Sequence, residues 1–128
     1  MVDEQPATVN KDNIYQSTVD ALGLTLDGAD DAFKTEVLGH INSCLGILYQ
    51  AGCGNDIYAD ENTLWDDFLG NTESKGMAKQ YVFQRTKMLF DPPTPSTLKA
   101  IQDSNDELIW RISINDGGSS LEVVTQNE

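Results

Sequence analysis

A histidine and two cysteines are the residues of this chain with the greatest capacity for chemistry. His40 and Cys44 have i, i+4 spacing, which places them on one face of a helix, and Cys53 follows in a glycine-rich stretch. Structural zinc sites take four ligands, and the sequence contains no further histidine or cysteine. We therefore expect a helix-surface or interface histidine and two free thiols, with Cys44 on a buried helix face and Cys53 in a loop.

The other arrangements that could support catalysis or ion binding are incomplete. Cys44 lies on an apolar stripe, where a thiol is usually inert even with a histidine nearby. Asp66 and Asp67 are adjacent, so on a helix their carboxylates diverge. The acidic clusters at 56–61 and 103–107 lack the glycine that a calcium loop needs. No hydrolase elbow, phosphate loop or dinucleotide motif is present. The sequence predicts a protein that is not an enzyme and binds no cofactor.

The net charge of −13 is unevenly distributed. Residues 1–74 hold fourteen acids and two bases, residues 75–99 one acid and five bases, and residues 100–128 six acids and one base. An acidic surface repels phosphate, which disfavours ordinary nucleic-acid binding. The bases of the middle segment, which we call the basic island, are Lys75, Lys79, Arg85, Lys87 and Lys99. One interpretation is that this charge distribution serves only solubility. The other is that the basic island contacts acidic surfaces of neighbouring molecules, which suits head-to-tail packing of copies in a ring.

The segments that carry these residues have apolar side chains at helical spacing, which predicts that each segment is a helix. The length fits one domain, and no apolar run is long enough to span a membrane. The N-terminus lacks the basic and apolar segments of a signal peptide, so we expect a soluble protein that stays where it is made. The predicted fold is an all-α, compact bundle of four to five helices over 11–114, with a flexible N-terminal arm (1–10) and a flexible C-terminal tail (115–128).

Two details of the predicted helices concern packing. Gly39 and Gly46 lie on one face of the helix that precedes Gly52, and glycine within a helix is costly, which suggests close approach of another helix. Trp65 and Phe68 lie in a short helix, and we expect both aromatic side chains in the core.

The most distinctive local feature is a rigid hinge between the last two helices. The hinge residues are Phe90, Asp91, Pro92 and Pro93. The prolines cannot continue the first helix, and the following threonine can cap a second helix that begins at Pro95. Such a hinge sets the angle between two helices, and it indicates a rigid element that docks on another protein.

Two further sets of residues are candidate contacts. Trp110 points away from the apolar seam of the last helix, so we expect it to be half-buried or to contact another molecule together with Arg111. Leu121, Val123 and Val124 are apolar residues in an otherwise polar tail. These three residues could add a strand or anchor the tail to another subunit, with the tail becoming ordered on assembly.

Four stretches of the chain resemble small head–tail connector (adaptor) proteins of tailed phages. They are HINSCLGILYQAGCG (40–54), LWDDFLG (64–70), YVFQRTKMLFDPPTPS (81–96) and ELIWRI (107–112). The resemblance implies a structural adaptor that forms a ring, usually twelvefold, below the portal vertex and joins the capsid to the tail. It implies the portal protein, copies of the chain itself and a stopper or tail-completion protein as partners. Genomic DNA would pass through an acidic lumen without specific binding, and no membrane is involved.

The same resemblance implies a location in the neck of the virion after assembly in the host cytoplasm. Two other functions remain open on the charge pattern. One is an acidic mimic of DNA that inhibits a host nucleic-acid-binding enzyme, although the basic island interrupts its acidic face. The other is a small helical DNA-binding regulator, which would need a basic recognition helix where residues 77–89 instead look buried.

Overall fold

The structure, a computed structural model, describes residues 12–23 and 31–117, and these residues form five α-helices. The helices are α1 (Ile14–Ala21), α2 (Asp31–Gln50), α3 (Trp65–Leu69), α4 (Lys75–Phe90) and α5 (Pro95–Asp116). Over these two ranges the chain contains no β-strand, only an isolated antiparallel bridge between Asn13 and Leu64. The predicted all-α fold is confirmed. The predicted N-terminal arm lies outside the described residues.

The core lies where α2 and α4 face each other. α2 packs against α4, α4 packs against α5, and α1 contacts both α2 and α4. The apolar stripe of α2 is buried along the whole helix because its side chains recur every three or four residues. Its buried members are Val37, Ile41, Cys44, Leu45 and Leu48.

The short helix α3 is fastened to the core by aromatic side chains. Trp65 is only 1% exposed and Phe68 is fully buried, which confirms the expectation that both belong to the core. The Trp65 indole Nε1 donates a hydrogen bond to Ser17 Oγ on α1 at 2.9 Å. Its ring also meets Phe83 of α4 edge to face, with centroids 6.0 Å apart. One residue therefore ties α3 to α1 and α4.

The loop between α2 and α3 is held by a side chain of α2. The Asn42 amide Nδ2 donates to the Ala59 carbonyl at 3.0 Å, and the Ala59 N–H donates to Asn42 Oδ1 at 2.7 Å. Asp60 accepts hydrogen bonds from the Asn62 N–H and the Thr63 hydroxyl, and these bonds lower the pKa of its carboxyl. These hydrogen bonds make the acidic loop between α2 and α3 a defined segment.

The expectation that Gly39 and Gly46 mark a helix contact is wrong for the folded chain. Both glycines are exposed on α2, and a Cβ built on either would meet no atom within 4 Å. The neighbouring helices α1 and α4 pack on the opposite, apolar side of α2, because that side removes more apolar surface from water.

Replacing either exposed glycine by alanine should stabilise the fold. Gly46→Ala is expected to raise the free energy of unfolding by about 0.5–1 kcal/mol, because alanine loses less backbone entropy in a helix and finds open space here. Urea unfolding followed by circular dichroism measures the change, and Gly39→Ala is the parallel case. A clear loss of stability would show that a neighbour does contact this face.

Candidate interaction surfaces

The hinge between α4 and α5 is a short, extended turn. α4 ends at Phe90, and the Asp91 N–H donates to the Lys87 carbonyl at 2.8 Å. Thr94 has the extended backbone of an N-cap residue, with φ −60° and ψ 158°, and Pro95 occupies the first turn of α5, as predicted. The Thr94 hydroxyl does not cap a backbone N–H; it lies 3.2 Å from Thr97 Oγ1.

The hinge is attached to the core through an aromatic contact. Phe90 meets Phe33 of α2 edge to face, with ring centroids 5.5 Å apart and planes at 89°. Pro92 is exposed, whereas Pro93 is partly buried against the two helices. The prolines restrict the backbone and the Phe90 ring holds the end of α4 in place, so the four hinge residues present a defined shape. Their role in docking stays a prediction.

Hydrogen bonds hold α4 and α5 together below the hinge. The Gln84 amide Nε2 donates to Asn105 Oδ1 at 2.9 Å and to Ser104 Oγ at 3.2 Å. Asn105 is 5% exposed, and its own Nδ2 has no hydrogen-bond partner within the described part of the chain. A buried polar contact of this kind fixes the register of the two helices more than it adds stability.

A groove of about 520 Å³ runs between α4 and α5 at the hinge end. We call it the hairpin groove. Its lining is Gln84, Lys87, Met88, Asp91, Pro93, Thr97, Ala100, Ile101 and Ser104. Apolar atoms form most of its surface, and its volume is in the range of binding pockets, roughly 300–1,000 Å³. Ile101 of α5 is partly exposed and forms part of this lining.

The structure does not bring the basic island together as one patch. Lys79 Nζ lies over the Trp65 ring, 5.6 Å from its centroid. Arg85 Nη1 donates to Ser43 Oγ of α2 at 3.0 Å, and Lys99 pairs with Asp103 at 3.2 Å. These bases therefore point towards different neighbours.

Lys75 and Lys87 complete the basic island and are both exposed on α4. Lys87 also lines the hairpin groove. Because neither lysine is held against the core, these two are better placed to contact another molecule than Lys79 or Arg85. Their predicted interface role is untested.

A second exposed apolar surface surrounds Trp110. Trp110 is 64% exposed and Ile114, one turn later on α5, is 49% exposed. Together with Met77 of α4 they border a shallow pocket of about 160 Å³. Arg111 lies beside it and pairs with Glu107 at 2.8 Å. Trp110 and Arg111 were predicted as contacts from the sequence, whereas Ile114 was not, although its i, i+4 spacing from Trp110 places it on the same face of α5.

The C-terminal end of α5 is tied to the start of α4. The Asn115 amide Nδ2 donates to Ser74 Oγ at 3.1 Å, and the Glu73 N–H donates to Asp116 Oδ1 at 2.9 Å. α5 extends to Asp116, two residues past the predicted end of the helical domain at 114. Leu121, Val123 and Val124 lie outside the described residues.

The chemically capable residues do not converge. His40 Nε2 lies 3.8 Å from Glu36, whereas the Cys44 thiol contacts Thr86 Oγ1 at 3.8 Å and Arg85 Nη1 at 3.6 Å. Cys53 is buried in the loop after α2. Over residues 12–23 and 31–117, no group of three or more His, Cys, Asp and Glu side chains could hold a metal ion.

Both thiols should be unreactive in the folded protein. Burial raises the pKa of the Cys44 thiol, and it raises that of Cys53 to about 11, so little thiolate exists at mildly alkaline pH. We expect a disulfide reagent such as Ellman's reagent to modify neither cysteine within minutes in buffer and both in concentrated guanidinium chloride. Rapid modification of one thiol without denaturant would contradict its burial.

No helix in the described part of the chain is long and apolar enough to cross a membrane. No curated protein and no solved structure matches the chain. The sequence pattern of one family, described as phage connector protein, matches residues 17–119, most of the chain. This match confirms the resemblance noted from the sequence: the chain belongs to the phage connector protein family.

Proposed function

We propose that the protein is a structural adaptor that forms a ring below the portal vertex and joins the capsid of a tailed phage to its tail. The family match supports a connector role at the head–tail junction. The observation that carries the finer proposal is the exposed Trp110 and Ile114 surface on a helix anchored at both ends. Solvent-exposed apolar clusters of this kind mark protein contacts, and the family makes other phage components the partners.

The proposed ring is twelvefold and contacts the portal on one side and a stopper or tail-completion protein on the other. Opposite charges on adjacent subunits favour such packing, and the exposed Lys75 and Lys87 supply the positive side. The remaining surface is strongly acidic, with a net charge of −13 for each subunit. An acidic channel repels the phosphates of DNA, so the genome slides through without binding.

The mass of the purified protein, alone and mixed with its portal, tests this proposal. We expect a symmetric complex with several copies of the chain on each portal, which native mass spectrometry would count. Failure to bind the portal, combined with a stable complex with a host nucleic-acid-binding enzyme, would favour the acidic DNA mimic instead.

The hinge provides a mutational test of the same function. Replacing Pro92 and Pro93 together by alanine should leave a helical protein whose affinity for the portal falls at least tenfold, or about 1.4 kcal/mol. The physical reason is that alanine frees the backbone between α4 and α5 and allows α4 to extend. Helicity is checked by circular dichroism and portal binding by sedimentation.

Pro95→Ala is the matched control for the hinge variant. Pro95 is also exposed, but it lies in the first turn of α5, where alanine is readily accommodated. We expect it to bind the portal like the unchanged protein. Normal phage particles made with the double hinge variant would show that the hinge prolines have no part in joining head and tail.

A further inference from the structure

We propose that the C-terminal segment containing Leu121, Val123 and Val124 of one subunit occupies the hairpin groove of the adjacent subunit. This inference rests on the proposed function, because it requires copies of the chain to lie side by side in a ring. It names the site on the neighbour that receives the tail, and so it identifies one of the contacts that hold the ring together.

The hairpin groove has the shape and chemistry to receive a short apolar peptide. Its apolar side chains come from both helices and from the hinge: Met88 from α4, Pro93 from the hinge, and Ala100 and Ile101 from α5. Each of these four side chains keeps contact with solvent, so the groove is open along the surface. The pocket beside Trp110, at about 160 Å³, is less than a third as large as the groove at about 520 Å³.

The sequence of the tail offers a matching ligand. Leu121, Val123 and Val124 are the apolar residues among the last eleven, and Glu122 lies between them. An extended backbone would place Leu121 and Val123 on one side and Glu122 on the other. With the two apolar side chains in the groove, Glu122 lies at the rim, where the exposed Lys87 provides an opposite charge.

Charge also limits how the tail can bind. Asp91 borders the groove at the hinge, and it would repel Glu122. Apolar burial must therefore provide most of the affinity, and the two groove charges select the direction in which the tail lies. Only the register that brings Glu122 next to Lys87 and away from Asp91 satisfies both.

The length of the tail indicates that it binds the groove of an adjacent subunit and not the groove of its own subunit. Ser104 is the groove residue of α5 nearest to Gly117, and at about 1.5 Å per residue it lies roughly 20 Å away along the helix. A fully extended chain from Gly117 reaches at most about 14 Å to Leu121 and about 22 Å to Val123. The chain must also reverse its direction at Gly117. Leu121 and Val123 together therefore cannot reach the groove of their own subunit.

Disulfide trapping in the assembled ring tests the inference directly. Ala100→Cys places a thiol in the groove at an exposed position, and Val123→Cys places one in the tail. The native Cys44 and Cys53 are both fully buried and do not compete. An equal mixture of the two single variants, assembled on the portal and mildly oxidised, should yield a covalent dimer that neither variant alone yields. The Ala100→Cys/Val123→Cys double variant should form a ladder of covalent oligomers.

Gln102→Cys is the matched control for Ala100→Cys. Gln102 is exposed on α5 but does not line the groove. We expect its mixture with Val123→Cys to give at least tenfold less dimer. Equal cross-linking from the two positions, or an internal cross-link in the double variant, would overturn the inference.

Counting the rings on the portal distinguishes failure of the inference from failure of the proposed function. Rings that form on the portal, as counted by native mass spectrometry, but give no groove-to-tail dimer would overturn the inference and leave the adaptor function in place. If no ring forms on the portal with the unchanged protein, the proposed function is overturned and the inference falls with it.

Discussion

Replacing Trp65 by alanine is expected to lower the free energy of unfolding by about 3–5 kcal/mol. The side chain is 1% exposed, and its removal leaves a cavity where α1, α3 and α4 meet. The change also leaves Ser17 Oγ without its indole donor and removes the ring beneath Lys79 Nζ. Chemical denaturation measures the loss of stability, with unfolding followed by far-ultraviolet circular dichroism because tryptophan fluorescence would itself be changed by the substitution.

Tyr58→Ala is the matched control for the loss of an aromatic side chain. Tyr58 lies in the loop before α3 and is 78% exposed, so we expect a change within about 0.5 kcal/mol. If Trp65→Ala costs no more than Tyr58→Ala, α3 is not attached to the core through this residue. A large loss for Tyr58→Ala would instead mean that the loop packs more tightly than its exposure indicates.

Gly54→Ala is expected to lower the free energy of unfolding by about 2–4 kcal/mol. Gly54 has a φ of +87°, which side-chain-bearing residues rarely adopt. A Cβ at this position would also lie 2.5 Å from the Phe68 ring, which is fully buried and cannot move aside freely. Thermal and urea unfolding of the purified variant provide the measurement.

Gly23→Ala separates the two causes. Gly23 has a similar φ of +81°, but a Cβ built there meets no atom within 4 Å. Its substitution should therefore cost only the backbone strain, about 1–2 kcal/mol. The difference between the two variants measures the contact with Phe68. Equal costs would show that the ring adapts to the added methyl group.

The contacts around Trp65 affect how the interface is tested. Because Lys79 lies over a core aromatic ring and Arg85 is hydrogen-bonded to α2, their substitution alters the folded chain as well as any interface. Lys75 and Lys87 are exposed on the same helix. Charge reversal at these two positions therefore reports on assembly with little effect on stability.

Local patterns in the sequence were sufficient to predict the helices and the hinge. The stripe of α2 is buried as predicted, because apolar residues recurring every three or four positions leave a helix only one face to bury. Pro92 and Pro93 end α4 because proline cannot continue a helix, and Pro95 begins α5 for a related reason. The aromatic pair of α3 lies in the core, since such large side chains dominate burial.

Contacts between distant segments were decided only by the tertiary structure. Periodicity did not indicate that Asn42 would hold the backbone of Ala59, or that a Cβ at Gly52 would lie 2.7 Å from the Gly117 Cα. The distribution of charge along the sequence also grouped five bases that packing then directed towards different neighbours. Helical spacing reports on which face of one element is apolar, whereas the partner of each side chain depends on how several elements pack at once. The sequence by itself therefore determined the helices, the hinge and the family, and packing determined which residues remain exposed for assembly.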